Sequence, residues 1–274
     1  MLGSRWTLKT LRSALDWLEP ISLAGLWRLC KRLGITWKRG RDYIHSPDPD
    51  YEPKLTLVQE AIDEARKSGG RVIALYVDEF TFYRQPTVAQ DYCPAGSQPL
   101  ARRSLKSNTT TRVIGALNVL TGQVIYHRGS VIGLSQLRQF SKQIAESYPE
   151  AERIYGILDN WPIHFHPDVL VSLEEQESPF TWHRPSHWRT EPTEGLKKRY
   201  EARRLPIQLL ALPTWAPWTN PIEKLWRQVK QEVLHLHRQA DDLALLRCRV
   251  DQFLDQYQNG STNLLRYVGL LISD

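Results

Sequence analysis

Apolar residues along this chain fall into a small number of clear periods. Trp6, Leu8, Leu11, Leu15 and Leu18 recur at helical spacing, with Thr7 placed to cap the first turn. Glu19-Pro20 ends that run and Ser22 opens another. Its apolar face comprises Leu23, Leu26, Trp27, Leu29, Cys30 and Leu33, up to Gly34. Residues 35–43 predict a short extended segment, and residues 45–53, rich in Pro and Asp, a linker. An amphipathic helix is expected over residues 55–67, closed by Gly69-Gly70. Two nearly continuous apolar runs, residues 71–79 and 153–160, have the pattern of buried strands. Between them, residues 112–120 and 123–128 flank Thr121-Gly122 as a hairpin, and residues 134–148 form an amphipathic helix. Residues 167–176 predict a helix and 207–212 a strand. Ile222, Leu225, Trp226, Val229 and Val233 mark the buried face of a helix that starts at Asn220-Pro221. A further amphipathic helix is expected over 241–257, and residues 264–272 pack the end of the chain. Residues 84–111 carry few regular signals, and a loop of that length in a domain is usually functional or mobile.

Charge adds a direction to this α/β pattern. The 274 residues hold 36 Lys and Arg against 30 Asp and Glu, a net +6 with a pI near 9.2, which favours an anionic partner. Arg28, Lys31 and Arg32 are left outward on the second helix, and Lys38, Arg39 and Arg41 crowd the extended segment after it. Helix, turn, helix and basic wing make a winged helix-turn-helix for duplex DNA; a solvated helical hairpin is the alternative. Cys30, Cys93 and Cys248 show no zinc or redox spacing, so the expectation is a reduced, cytoplasmic chain with no structural disulfide. No secretory signal and no apolar run long enough to span a membrane occurs.

Three acids stand where elements end or begin. Asp78 and Asp159 close the two apolar runs, and sites in such sheets form where strands end. Glu223 opens the helix after Asn220, and it has two readings: a capping-box glutamate bonding back to Asn220, or a catalytic carboxylate. Arg227 and Lys230 share its stripe and are candidates for DNA contact. Two strand-end aspartates and a helix-start glutamate make an oxygen-ligand set for a divalent cation. Asn160 and His164 follow Asp159 directly, as candidates for holding the loop, a water or a phosphate.

The blocks Tyr-Val-Asp78-Glu, Leu-Asp159-Asn-x-x-x-His164 and Leu-Pro-x-x-x-Pro-x-x-Asn-Pro-Ile-Glu223-x-x-Trp occur in that order. From about Trp6 onward the chain resembles the DDE transposases of bacterial insertion sequences related to the mariner superfamily. The resemblance implies an RNase H-like catalytic domain over residues 71–274, a mixed sheet flanked by helices. A small, incomplete winged helix-turn-helix region at 1–45 and a linker and helix at 46–70 would precede it. Asp78, Asp159 and Glu223 would then be the catalytic, metal-binding triad for Mg2+ or Mn2+, as two ions, with no covalent protein nucleophile. The implied reaction is cleavage of double-stranded DNA at transposon ends and joining of the 3′-hydroxyl to target DNA. The implied setting is the bacterial nucleoid, with a homodimer as the working unit and residues 84–111 clamping its partner subunit or DNA.

Two departures accompany the resemblance. The family's further upstream helix-turn-helix is expected to be encoded outside this chain. In addition, 63 residues lie between Asp159 and Glu223, about twice the family spacing that the resemblance implies. The extra residues, 178–205, interleave Arg and Lys with Trp182, Trp188, His183 and His187, and suit a nucleic-acid contact or a solvated flap. Two alternatives remain: a decayed or domesticated transposase that only binds DNA, and an RNase H-like nuclease without strand transfer.

Overall fold

Thr7 caps the first helix as its position predicts. Its Oγ1 accepts from Thr10 N while Thr10 Oγ1 accepts from Thr7 N, and α1 runs Leu8–Ala14. A 3-10 turn at Asp16–Leu18 leads to α2, Leu23–Arg32, where Ser22 Oγ accepts from Gly25 N. This computed structural model describes residues 6–36 and 45–271, and the chain divides into two units, residues 1–44 and 45–274. The first unit closes on Leu18, Leu26 and Cys30, with Leu8, Leu11, Ile21 and Leu29 packed around them. Trp27 and Leu33, expected on this face, are exposed instead. Trp27 lies four residues before Lys31, so the two share an outer stripe, and the Lys31 ammonium sits over the indole. The wing, with Lys38, Arg39 and Arg41, lies outside the described residues.

The second unit is a five-stranded mixed sheet with helices on both faces, the RNase H-like arrangement expected from the sequence. Helix α3, Tyr51–Lys67, precedes β1, Val72–Tyr83. Then come β2, Thr110–Asn118, and β3, Val124–Gly129, turning at Gly122, whose φ of +70° suits glycine. Helix α4, Leu134–Ser147, leads to β4, Arg153–Leu158. After the short α5, Pro167–Leu170, and α6, Glu194–Tyr200, comes β5, Ile207–Ala211. Helix α7, Ile222–Val229, ends in a π turn at Lys230–Leu234, and α8, Leu243–Asp255, and α9, Thr262–Val268, complete the unit.

The strand order is β3-β2-β1-β4-β5, with β1, β4 and β5 parallel and β2 and β3 antiparallel. Side chains of β1 alternate between faces. Ala74, Tyr76, Phe80 and Phe82 pack against α3, α7 and α8, while Leu75 and Val77 pack against α4 and the β4–β5 connection. α3 is thus integral to this unit, through Val58, Ala61, Ile62 and Ala65.

Residues 167–176 do not form one helix. The chain leaves helical geometry after Leu170 and runs along the edge of β5: Leu173 bridges Leu205, Glu174 N donates to Ile207 O, and the Gln176 amide bonds both N and O of Leu209. An open edge of parallel sheet offers unpaired backbone groups, and pairing them outweighs local helix propensity. The insertion 178–205 folds back on the chain after Asp159, with Trp182 stacked on Phe165 and Trp188 against His166. Thr193 N and Oγ1 both donate to the buried Asp168 carboxylate.

Candidate active site

Adjacent strands lead to the two aspartates. Tyr76 pairs with Ile157, the last pair of the parallel β1–β4 ladder, and Asp78 and Asp159 each lie two residues beyond it. Alternation then sends Asp78 to the α7 face of the sheet and its neighbour Glu79 to the opposite face. On the α7 face, Trp226 Nε1 donates to Asp78 Oδ2 at 3.0 Å. The indole reaches that carboxylate because Gly115 pairs directly with Asp78 across the β1–β2 ladder. A Cβ at 115 would lie 2.5 Å from Trp226 Cη2. Trp226 is 1% exposed and stacks on Phe80 at 5.4 Å, and burying such a side chain contributes on the order of 3 kcal/mol.

Glu223 sits in the first turn of the same helix, exposed, and its side chain makes no hydrogen bond to any described residue. The capping-box geometry does not form. Asn220 N donates to Pro217 O, the helix has no side-chain cap, and Asn220 Oδ1 is buried without a partner. Pro217 tightens the chain into a 3-10 turn at Pro217–Thr219, and that turn takes the amide a capping glutamate would need.

Asp159 lies just past the end of β4, where ladder pairing no longer fixes it. Its Oδ1 accepts from Trp161 N at 2.9 Å. Asn160 bonds the loop, donating through Nδ2 to Leu212 O. His164 is 3% exposed and lies between two carboxylates, with Nε2 3.5 Å from Glu79 Oε1 and 3.6 Å from Asp159 Oδ1. Both separations are too long for good hydrogen bonds, and Glu79 Oε1 and His164 Nε2 are buried without partners. Among the described residues, Glu79, Asp159 and His164 are the group of three whose ligand atoms lie within 4.8 Å of one another. Asp78 and Glu223 stand beside that group without closing on it to the same degree. Sequence reasoning gave His164 only a loose role and passed over Glu79 and Gly115. Strand alternation placed Glu79 away from Asp78, but nothing local pointed to its meeting His164.

The electrostatics follow from crowding. Burial, then the charges of Glu223, Glu79 and Asp159, push the Asp78 carboxyl up from 3.8 to about 8. Asp159 is also raised, by burial first and by Glu79, against the lowering effects of Trp161 N–H and His164. Burial alone would lower His164, but the surrounding carboxylates of Glu79, Asp159 and Asp78 outweigh it and raise it. A site with several carboxylates and one of them held protonated near neutral pH fits a hard divalent cation as the missing counter-charge.

Of the basic candidates, Arg28, Lys31 and Arg32 are exposed on α2. Arg227 and Lys230 are exposed beyond Glu223, with the Lys230 ammonium over the Phe80 ring. The loop that carries Glu223 is tied at its other end. Asp48, in a buried pair with Lys54 at 2.7 Å, accepts from Thr214 N, and Ser46 Oγ donates to Thr214 O.

The fold is an RNase H-like mixed sheet with aspartates at two strand ends and a glutamate at a helix start. The sequence profile of the DDE superfamily endonucleases matches residues 74–247, and the chain belongs to that family. It is 23% identical over 256 residues to the insertion element IS630 uncharacterized 39 kDa protein of Shigella sonnei, covering 92% of this chain and 64% of that protein's length. The fold is shared with the Mos1 mariner paired end complex crystallised with Mn, at a TM-score of 0.59 and 16% identity, over 97% of this chain and 71% of the other. The Mos1 transposase paired-end complex with the left transposon end gives 0.56 at 14% identity, over 97% and 76%.

Proposed function

We propose that this chain is an insertion-sequence transposase that cuts double-stranded DNA at transposon ends and joins the released 3′-hydroxyl to target DNA. The observation that carries the reading is the acidic centre: Asp78 and Asp159 each lie two residues beyond the last pair of the β1–β4 ladder, and Glu223 opens the helix whose Trp226 bonds Asp78. Asp78, Asp159 and Glu223 would hold Mg2+ or Mn2+, as two ions. Bound there, the cations would activate the attacking water and stabilise the leaving oxygen of an in-line displacement. The chain's own part is positioning. Trp226 fixes one oxygen of Asp78, Trp161 N–H fixes one oxygen of Asp159, and Asn160 pins the strand-end loop.

DNA would be met by Arg28, Lys31 and Arg32 of α2 with Lys38, Arg39 and Arg41 after it, and by Arg227 and Lys230 beside Glu223. A homodimer acting in the cytoplasm, on nucleoid DNA, completes the proposal. The mariner neighbours, Mos1 paired-end complexes and a pre-cleavage Mos1 transpososome, support DNA as the partner. The test is cleavage of a duplex carrying the element's end, with Mg2+ or Mn2+, by the wild type and Glu223→Gln. The variant should bind DNA and unfold like the wild type in metal-free buffer, and lose cleavage by orders of magnitude. Cleavage that survives in Glu223→Gln, or in chelator, would remove the triad from the chemistry.

A further inference from the structure

The loop from the end of β5 to α7 begins beside Asp159, where Leu212 N donates to Leu158 O, and it ends at Glu223. In its middle Trp215 has a φ of 57°, one of two non-glycine residues with positive φ among those described. Left-handed backbone is costly for a bulky side chain and persists only where its surroundings over-determine it. The surroundings here do so. Thr214 is held through both its N–H and its carbonyl by Asp48 and Ser46, and Pro213 and Pro217 stiffen the two sides. Packing does not explain the arrangement, because the indole is 77% exposed and no ring stacking or hydrogen bond engages it among the described residues. The neighbouring Trp218, by contrast, donates through Nε1 to Tyr51 OH. Strain is therefore held in the loop that joins two of the site's acids, and its product is a bare indole facing solvent.

We propose that Trp215 is a nucleic-acid contact that stacks on an unpaired or terminal DNA base next to the phosphodiester being cut. The inference rests on the transposase reading above. An exposed indole offers a sequence-tolerant platform, since every base has a π-face, and a clamped backbone spares the ordering cost on binding. The base must be unstacked because a paired base inside the duplex presents only its edges.

The experiment uses the full chain in chelator, so that nothing is cut. The probe is a duplex of about 30 base pairs with a short single-stranded 3′ extension carrying 2-aminopurine, since stacking is best measured on an unpaired base. Trp215→Gly suits the positive φ, so thermal unfolding should occur at or above the wild-type temperature. The same variant should bind the probe about 10- to 100-fold more weakly and lose the 2-aminopurine quenching. Trp215→Phe, which keeps a ring, should retain most of both. Unchanged affinity and quenching in Trp215→Gly would overturn the proposal. So would a lower unfolding temperature, which would make Trp215 a packing residue, or an altered oligomeric state with DNA binding intact, which would make it a contact between copies. Failure of the wild type to bind any duplex would instead remove the transposase reading itself.

Discussion

Replacing Asp78 with Asn should stabilise the metal-free protein, and by an amount that grows with pH. The native state holds the Asp78 proton until about 8, whereas an unfolded chain gives it up near 3.8. The raised native value means that Asp78's contribution is complete below the lower pH and is lost as pH rises through the higher one. Between pH 5 and pH 8 the loss amounts to at most about 4 kcal/mol, at about 1.4 kcal/mol per tenfold change in proton affinity. Glu223 is exposed and its repulsion is screened by solvent, so about 2 kcal/mol is the working figure. Asn carries no charge at any of these pH values, and its Oδ1 still accepts from Trp226 Nε1. Unfolding temperatures of wild type and variant, followed by circular dichroism in chelator, should nearly coincide only below about pH 4. By pH 8 they should separate by about 4–8 °C in favour of Asn, for a domain of this size. Other groups titrate equally in both proteins and cancel in the difference. Adding Mn2+ at pH 8 should raise the wild type and not the variant. A separation that stays constant across pH would show that Asp78 is not crowded by its neighbours and would undo the electrostatic account of the site.

Gly115→Ala should cost about 1–3 kcal/mol, because the new methyl overlaps the Trp226 ring, and should weaken Mn2+ binding measured by calorimetry through displacement of Trp226 from Asp78. If it unfolds and binds metal like the wild type, the indole is not held where the structure has it. Arg28, Lys31 and Arg32 changed together to Ala should lower the slope of log affinity for duplex DNA against log salt by up to about three units, and an unchanged slope would mean that this face of α2 is only solvated.

Much of the fold was legible because it depends on short-range signals. The capping residues Thr7 and Ser22, the period-2 and period-3.6 runs and the Thr121-Gly122 turn all act within a few residues of themselves. What was hidden depends on long-range contact. Residues 167–176 carry a helical pattern, but the open edge of β5 captures their second half. Trp27 matches the apolar period and still faces outward, since hydrophobicity alone does not say which of two adjacent stripes meets the core. The acids Asp78 and Asp159 could be singled out as strand ends. Glu79, Gly115 and Trp226 could not be assigned to the site, because their roles depend on which strand lies beside β1 and which helix lies above it. The helix-capping alternative for Glu223 was undecidable from sequence for the same reason: the amide it needs is taken by Pro217 O, a turn-level detail.

Strand geometry also explains why the acidic centre is lopsided. Asp78 and Glu79 are consecutive on one strand, so they must point to opposite faces, and each face has supplied a different partner. Trp226 N–H braces Asp78, while Glu79 meets His164 among buried groups. Asp78 is held by ladder pairing with β2 and by the indole, so it has little freedom to move. Glu223 is exposed at a helix start and makes no side-chain hydrogen bond among the described residues, so its side chain can swing without breaking any of theirs. Asp159 lies between these extremes. It follows the last residue of β4, lies like Asp78 two residues beyond the last β1–β4 pair, and is drawn toward Glu79 and His164 by the field of the histidine and by the Trp161 amide. Its carboxylate is thus the member of the proposed triad whose rotation would decide whether the acids close on the Asp78 side or on the His164 side. On the proposed assignment, a divalent cation held by Asp78 and Glu223 would supply the attraction that favours the first.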